Sequence, residues 1–149
     1  MALDVSAGTE TLHAASFADV DASQDLIVGV VHHIYTVLST IVYSVSIGTA
    51  GDTFKLSIVG HDHHGGASSN GAFMAIAKVV SVADQTFVFN DKFSFNGFGA
   101  AAYTEPMNTA AEQVLIAAQG GTLQKYIFEP LDTDVDCDIH VTFIDQNNA

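Results

Sequence analysis

Asp134-Val-Asp-Cys-Asp-Ile-His-Val-Thr-Phe143 alternates without a break. Val135, Cys137, Ile139, Val141 and Phe143 fall on one side, and Asp134, Asp136, Asp138, His140 and Thr142 on the other. Successive side chains of a β-strand point to opposite faces, so the stretch predicts a half-buried strand with an apolar inward row. Its outward row sets carboxylates about 7 Å apart, a spacing whose repulsion water tolerates. That row reads as a solvated or subunit-facing edge.

Similar signals run backward along the chain. Leu26 to Tyr35 is dense in β-branched residues. Ile41, Tyr43, Val45 and Ile47 then alternate with Val42, Ser44 and Ser46, and after the turn cluster Gly48-Thr-Ala-Gly-Asp52 the residues Phe54, Leu56 and Ile58 alternate with Lys55 and Ser57. The two runs read as a hairpin. Phe73 to Val82 reads as a further strand, and Thr86 to Asn90 and Phe93 to Phe95 as aromatic strands either side of Asn90-Asp-Lys92. Between Asn96 and Asn108 lies a Gly/Ala-rich connection. Residues 109–119 suit either a short helix, with Thr109 and Glu112 as a capping box, or one arm of a hairpin with Leu123 to Phe128; the β character of the rest favours strands.

The predicted class is therefore all-β, a jelly roll or β-sandwich of about eight strands with at most one short helix. Residues 1–25, rich in Ala, Ser, Thr and Asp, read as an extended N-terminal arm, and residues 26–149 as a single β-sandwich domain. At 149 residues one domain can close a real core without staples.

Composition narrows the partners. Four lysines and no arginine face 17 acids, for a formal charge of −13. Phosphate binding needs clustered cations, so nucleic acid is not an expected partner. Only 14% of residues are charged although 48% are apolar, so hydroxyls, amides and small residues must cover much of the surface. Such a surface suits contact with other subunits. The start of the chain lacks a positive secretory leader. The apolar run Leu26 to Gly48 is broken by His32, His33 and several hydroxyls, so two strands explain it better than a membrane span. Cys137, the single cysteine, lies on an apolar row and reads as a buried structural thiol.

The sharpest chemical candidate is the loop Gly60 to Gly71, where His61, Asp62, His63 and His64 stand together. His-x-His in an extended segment can chelate zinc or a similar metal, so His61, His63 and His64 are the candidate metal ligands. The cupin pattern adds a Glu four or five residues on, where this chain has Ala67, Ser68 or Ser69. A helix-loop-helix calcium site starting at Asp132 would need Gly at its sixth position and Glu at its twelfth, and Cys137 and Phe143 stand there. No Gly-x-Ser-x-Gly elbow, phosphate loop or dinucleotide fingerprint is present. The reading is non-enzymatic, with no cofactor. A sugar-binding sandwich would need an aromatic platform, which Tyr35, Tyr43, Tyr103 or Tyr126 could supply.

The succession His33-Ile-Tyr-Thr-Val37, Ile41-Val-Tyr-Ser-Val-Ser-Ile47 and Thr53-Phe-Lys-Leu-Ser-Ile-Val59, followed by Thr86 to Asn90, Glu112 to Ala118 and Asp136 to Ile144, resembles the small β-sandwich virion proteins of tailed bacteriophages. Leu38-Ser-Thr40 replaces their usual turn, and the His loop and the Asn96 to Asn108 segment look like insertions. The resemblance implies a capsid decoration (cement) protein or a tail component. It further implies a homotrimer on the capsid surface, bound to the major capsid protein or another virion protein, with no membrane partner.

Overall fold

The computed structural model describes residues 9–30, 33–60, 72–97 and 124–147. They form strands β1 (Thr9–Val20), β2 (Gln24–Val28), β3 (His33–Ser46), β4 (Thr53–Gly60), β5 (Ala72–Val80), β6 (Gln85–Phe89), β7 (Phe93–Asn96), β8 (Lys125–Pro130) and β9 (Asp136–Asn147). No helix occurs among the described residues. The alternative helix at 109–119 lies outside them.

The strands make two antiparallel sheets, one ordered β1-β9-β3-β6 with β7 also on β3, the other β2-β8-β4-β5. β6 pairs with Thr40 to Ser44 of β3, and β7 with Ile34 to Val37 of the same strand. They act as one edge strand interrupted at residues 90–92. Counted so, the sheet orders are 1-8-3-6 and 2-7-4-5, the winding of a jelly roll.

Two local expectations change. β3 and β4 are not a hairpin, because they lie in different sheets. The Gly48 to Asp52 turn carries the chain across the sandwich, with Gly51 at φ 104, a backbone state that favours glycine. The aromatic strands either side of Asn90-Asp-Lys92 both pair with β3. The segment read as an arm is extended, yet from Thr9 to Val20 it is an edge strand of its own sandwich, in register with β9. The boundary at residue 25 falls inside β2.

The central strand β9 matches its alternation. Val135, Cys137, Ile139 and Val141 are buried, and Phe143 packs against the same core. Each fully buried Val or Ile side chain among them contributes about 1.5–3 kcal/mol. Facing them across the sandwich are Phe54, Leu56, Tyr126 and Phe128 from β4 and β8. Aromatic pairs bridge the layers: Phe54 meets Phe87 of β6 edge-on at 5.5 Å, and Tyr126 meets Phe93 of β7 edge-on at 5.1 Å.

Bulges set which residues face inward. A register shift between Val37 and Ser39 moves β3 by one residue, so Tyr35 and Val37 are buried before it and Thr40, Val42 and Ser44 after it. Ile41 and Tyr43 consequently turn outward. A second shift, between Asp25 and Ile27 of β2, lets the adjacent Leu26 and Ile27 both be buried. The β3 hydroxyls drawn inside find partners: Thr40 Oγ1 and Tyr126 Oη share a hydrogen bond of 2.8 Å, and Ser44 is bonded to Ser81.

Candidate functional site

The outer face of the β1-β9-β3-β6 sheet carries the outward row of β9, with Asp136, Asp138 and His140, and Tyr43 of β3. Register places Ser16 beside His140, His140 beside Ile41 and Ile41 beside Val88 as one row. The next row runs from Asp138 to Tyr43 to Thr86. Between β1, β9 and β3 these residues line a shallow groove of about 370 Å³. Its polar groups are Ser16, Tyr43, Asp138 and His140; Ala18 and Ile41 also line it, while Phe17 and Ile139 border it with side chains that pack into the core.

Each polar group in the groove already has a partner. Ser16 Oγ lies 2.8 Å from His140 Nδ1. Asp138 Oδ1 accepts the backbone N–H of Asp19 at 3.0 Å, where Asp19 takes φ 52 in the β1 irregularity. Tyr43 donates to Asp84 Oδ1 at 3.0 Å, and its phenol sits above the usual range, first through that bond and then through the Asp84 charge. A hydrolytic triad holds its imidazole between the nucleophile and a carboxylate. Among the described residues no carboxylate bonds the other nitrogen of His140, and Asp138 is turned to backbone.

At one end of the groove the acidic row gathers. Asp136 has one carboxylate oxygen shielded from solvent with no hydrogen-bond partner. Its carboxyl is raised above the usual carboxylate range, first by burial, then by Asp19, Asp138 and Asp21. Asp134 lies against Gly48, where a β-carbon would meet its side chain. A neighbouring cleft of about 430 Å³ is lined by Asp21, Asp52, Asp132 and Asp134 among others. Two of these acids serve the turns. Asp52 accepts the N–H groups of Gly48 and Thr49 at 2.9 and 2.8 Å, and the Thr49 bonds hold its carboxyl low. Asp132 accepts the Thr53 N–H at 2.7 Å.

Among the described residues no three His, Cys, Asp or Glu side chains converge on a point that could hold a metal. The predicted ligands His61, His63 and His64 lie outside those residues. His33 is in β3 and pairs with Asp145 of β9 at 2.7 Å, closing the far end of the same sheet. Cys137 is buried; burial is the main cause that pushes its thiol up to about 11, the opposite of an activated thiolate. Likewise Tyr126 is pushed up to about 12 by burial, so it remains a neutral core donor or acceptor. The Ser16–His140 contact was beyond sequence reasoning, because 124 positions separate the residues and no local spacing joins them.

The other sheet differs. Its outer face holds three of the four lysines, Lys55 on β4, Lys78 on β5 and Lys125 on β8. Lys55 pairs with Glu129 and Lys125 with Asp25, both at 2.9 Å. No strand of the β1-β9-β3-β6 sheet, nor β7, contains a lysine. Among the described residues no helix is long and apolar enough to cross a membrane, and Leu26 to Ser46 contributes to β2 and β3.

No family model matches the chain, and no curated protein matches it. Among solved structures the chain is similar to one described under "Bacillus endospore appendages form a novel family of disulfide-linked pili", with a TM-score of 0.40 and 8% identity over 95% of this chain and 88% of that one.

Proposed function

We propose that this protein is a non-enzymatic structural subunit that works by assembling with copies of itself and with a larger particle. The observation that carries the reading is the outer face of the β1-β9-β3-β6 sheet. It bears no lysine, and exposed Leu12, Ile34 and Val88 stand among Thr36, Ser94, Thr86 and Ser16. Exposed apolar side chains set among hydroxyls are what a subunit contact needs. The other sheet also exposes Val28 and Val80, but sets them among lysine–carboxylate pairs that keep that surface hydrated.

With the resemblance to tailed-phage virion proteins, the particle is a capsid and the role is decoration of its exterior, with other copies and the major capsid protein as partners. The −13 charge suits such a place, because it repels polyanions and keeps a concentrated protein dispersed. Quantitative protein analysis of purified particles from the source organism tests it. Copies in fixed, shell-like ratio to the capsid protein support the role, and absence from particles refutes it.

A further inference from the structure

The four sheet edges are treated very differently. Exposed edges offer unpaired backbone groups to any other strand, and proteins blunt them with short strands, bulges, breaks and lysines. β2 is five residues long and bulged. β5 is bulged opposite Leu56 and Ser57 and carries Lys78. The third edge is broken into β6 and β7, of five and four residues. β1 has none of these devices from Thr9 to Phe17, where it keeps unbroken register with β9. Among the described residues no strand pairs with its far side.

The exposed side chains of β1 say what fits there. Leu12 is 68% exposed, the highest value among the exposed large apolar residues described. It neighbours Ile144 of β9 on the outer face. Glu10 is the single charged residue between Thr9 and Phe17. In a chain of net charge −13, two copies repel over most of their surfaces but little here.

We infer that β1 pairs antiparallel with β1 of a second copy about a two-fold axis at Leu12, joining two sheets into one. The inference deepens the self-assembly reading above and rests on it. An antiparallel pair sets residues of equal facing opposite each other, so this register puts Leu12 against its twin, Glu10 against Ala14 and Thr11 against His13. No like charges meet. An apolar stripe then runs from Ile144 through both Leu12 side chains to the second Ile144. The contact is isologous and closes at two copies, so it joins subunits in pairs and is not the contact of a three-fold ring.

Sedimentation of the full chain, wild type and variants, tests this. Leu12→Lys, at an exposed site, lowers association at least tenfold while leaving the circular dichroism spectrum unchanged. Val80→Lys, at an exposed site on the β5 edge of the other sheet, leaves the mass distribution as in wild type. Leu12→Cys forms a disulfide-linked dimer under mild oxidation, because opposed Cα atoms lie about 4.5–5.5 Å apart, within disulfide reach. Ala14→Cys does not, since its two copies stand about 13 Å apart along the strands. A wild type that stays monomeric at every concentration overturns the pairing and the self-assembly reading together. An oligomer that survives Leu12→Lys without cross-linking at Leu12→Cys overturns the β1 pairing alone. Should Leu12→Lys misfold, the two cysteine variants decide the matter.

Discussion

The two sheets share one core but turn different faces to the outside. On the β2-β8-β4-β5 sheet, lysines answer carboxylates: Lys55 meets Glu129 and Lys125 meets Asp25. On the β1-β9-β3-β6 sheet, carboxylates find only backbone, hydroxyl or imidazole, as Asp138 does with the Asp19 N–H and Asp145 with His33. One face is neutralised within the subunit. Exposed apolar groups occur on both, Val28 and Val80 on the first and Leu12, Ile34 and Val88 on the second, and the second also holds a carboxylate, that of Asp136, whose shielded oxygen has no partner. Three of the four lysines lie on the strands of one sheet, and Lys92 sits in the 90–92 break at the edge of the other.

The contrast fails if the outer face of β9 is as structural as its inner face. Ile139→Ala is expected to cost about 2–5 kcal/mol, the range for truncating a buried Ile, whereas its outward neighbour His140→Ala loses one partly exposed hydrogen bond and costs about 1 kcal/mol or less. Urea unfolding measures both. Equal losses would show that the groove is part of the scaffold.

A smaller effect tests the core that both sheets share. Tyr126→Phe removes the buried bond to Thr40 Oγ1 and should cost about 1–2 kcal/mol by leaving that hydroxyl unpaired. Denaturation of Tyr126→Phe beside Thr40→Val and the double variant separates the pair term. If the double variant is no better than the sum of the singles, the hydroxyls are not coupled.

Next comes the unanswered charge on the cation-free face. The folded protein holds the Asp136 carboxyl above its usual range, so folding takes up a proton more readily than the unfolded chain does. The Asp136 contribution to stability therefore rises as pH falls from the raised value toward the ordinary carboxylate value. Asp136→Asn is expected to be more stable than wild type at neutral pH, with the advantage vanishing in acid. Asp52 provides the opposite sign. Its carboxyl is held low by the Thr49 and Gly48 bonds, so its stabilisation is present above the ordinary carboxylate value and lost as pH falls through the lowered one. Midpoints of denaturation measured across pH for Asp136→Asn and Asp52→Asn should diverge in these directions; parallel profiles would contradict the assignment.

The smallest change belongs to the neutralised face. Lys125→Ala breaks a pair whose side chains are 34% and 43% exposed, and such pairs are worth about 0.2–1 kcal/mol. Its effect on thermal stability should fade in high salt. A large, salt-independent loss would mean that the lysine does more than balance charge.

How far these features were legible varies with their range along the chain. The inward row of β9 is readable at once, since alternation is local and the sheet leaves one side dry. Pairing is not. The run of β3, the Gly48 to Asp52 turn and the run of β4 look like a hairpin, yet a turn that crosses a sandwich uses the same residue types as one that reverses within a sheet. The β3 bulge after Val37 was equally hidden, although it decides that Thr40 and Ser44 go inside while Ile41 and Tyr43 go out. Thr9 to Phe17 has weak apolar alternation, so its place beside β9 depends on that strand having a free edge. Ser16 and His140 became neighbours for the same reason.

By itself the sequence determined the all-β class, the dry row from Val135 to Phe143, and a surface too acidic to attract nucleic acid. Periodicity and charge are properties of short stretches and of totals, and no fold is needed to read them. Tertiary structure alone decided which strands meet, which edge is left open, and that the lysine-bearing strands share a sheet. Those outcomes depend on residues far apart in the chain closing one core together, with register and bulges fixed by the packing of both layers.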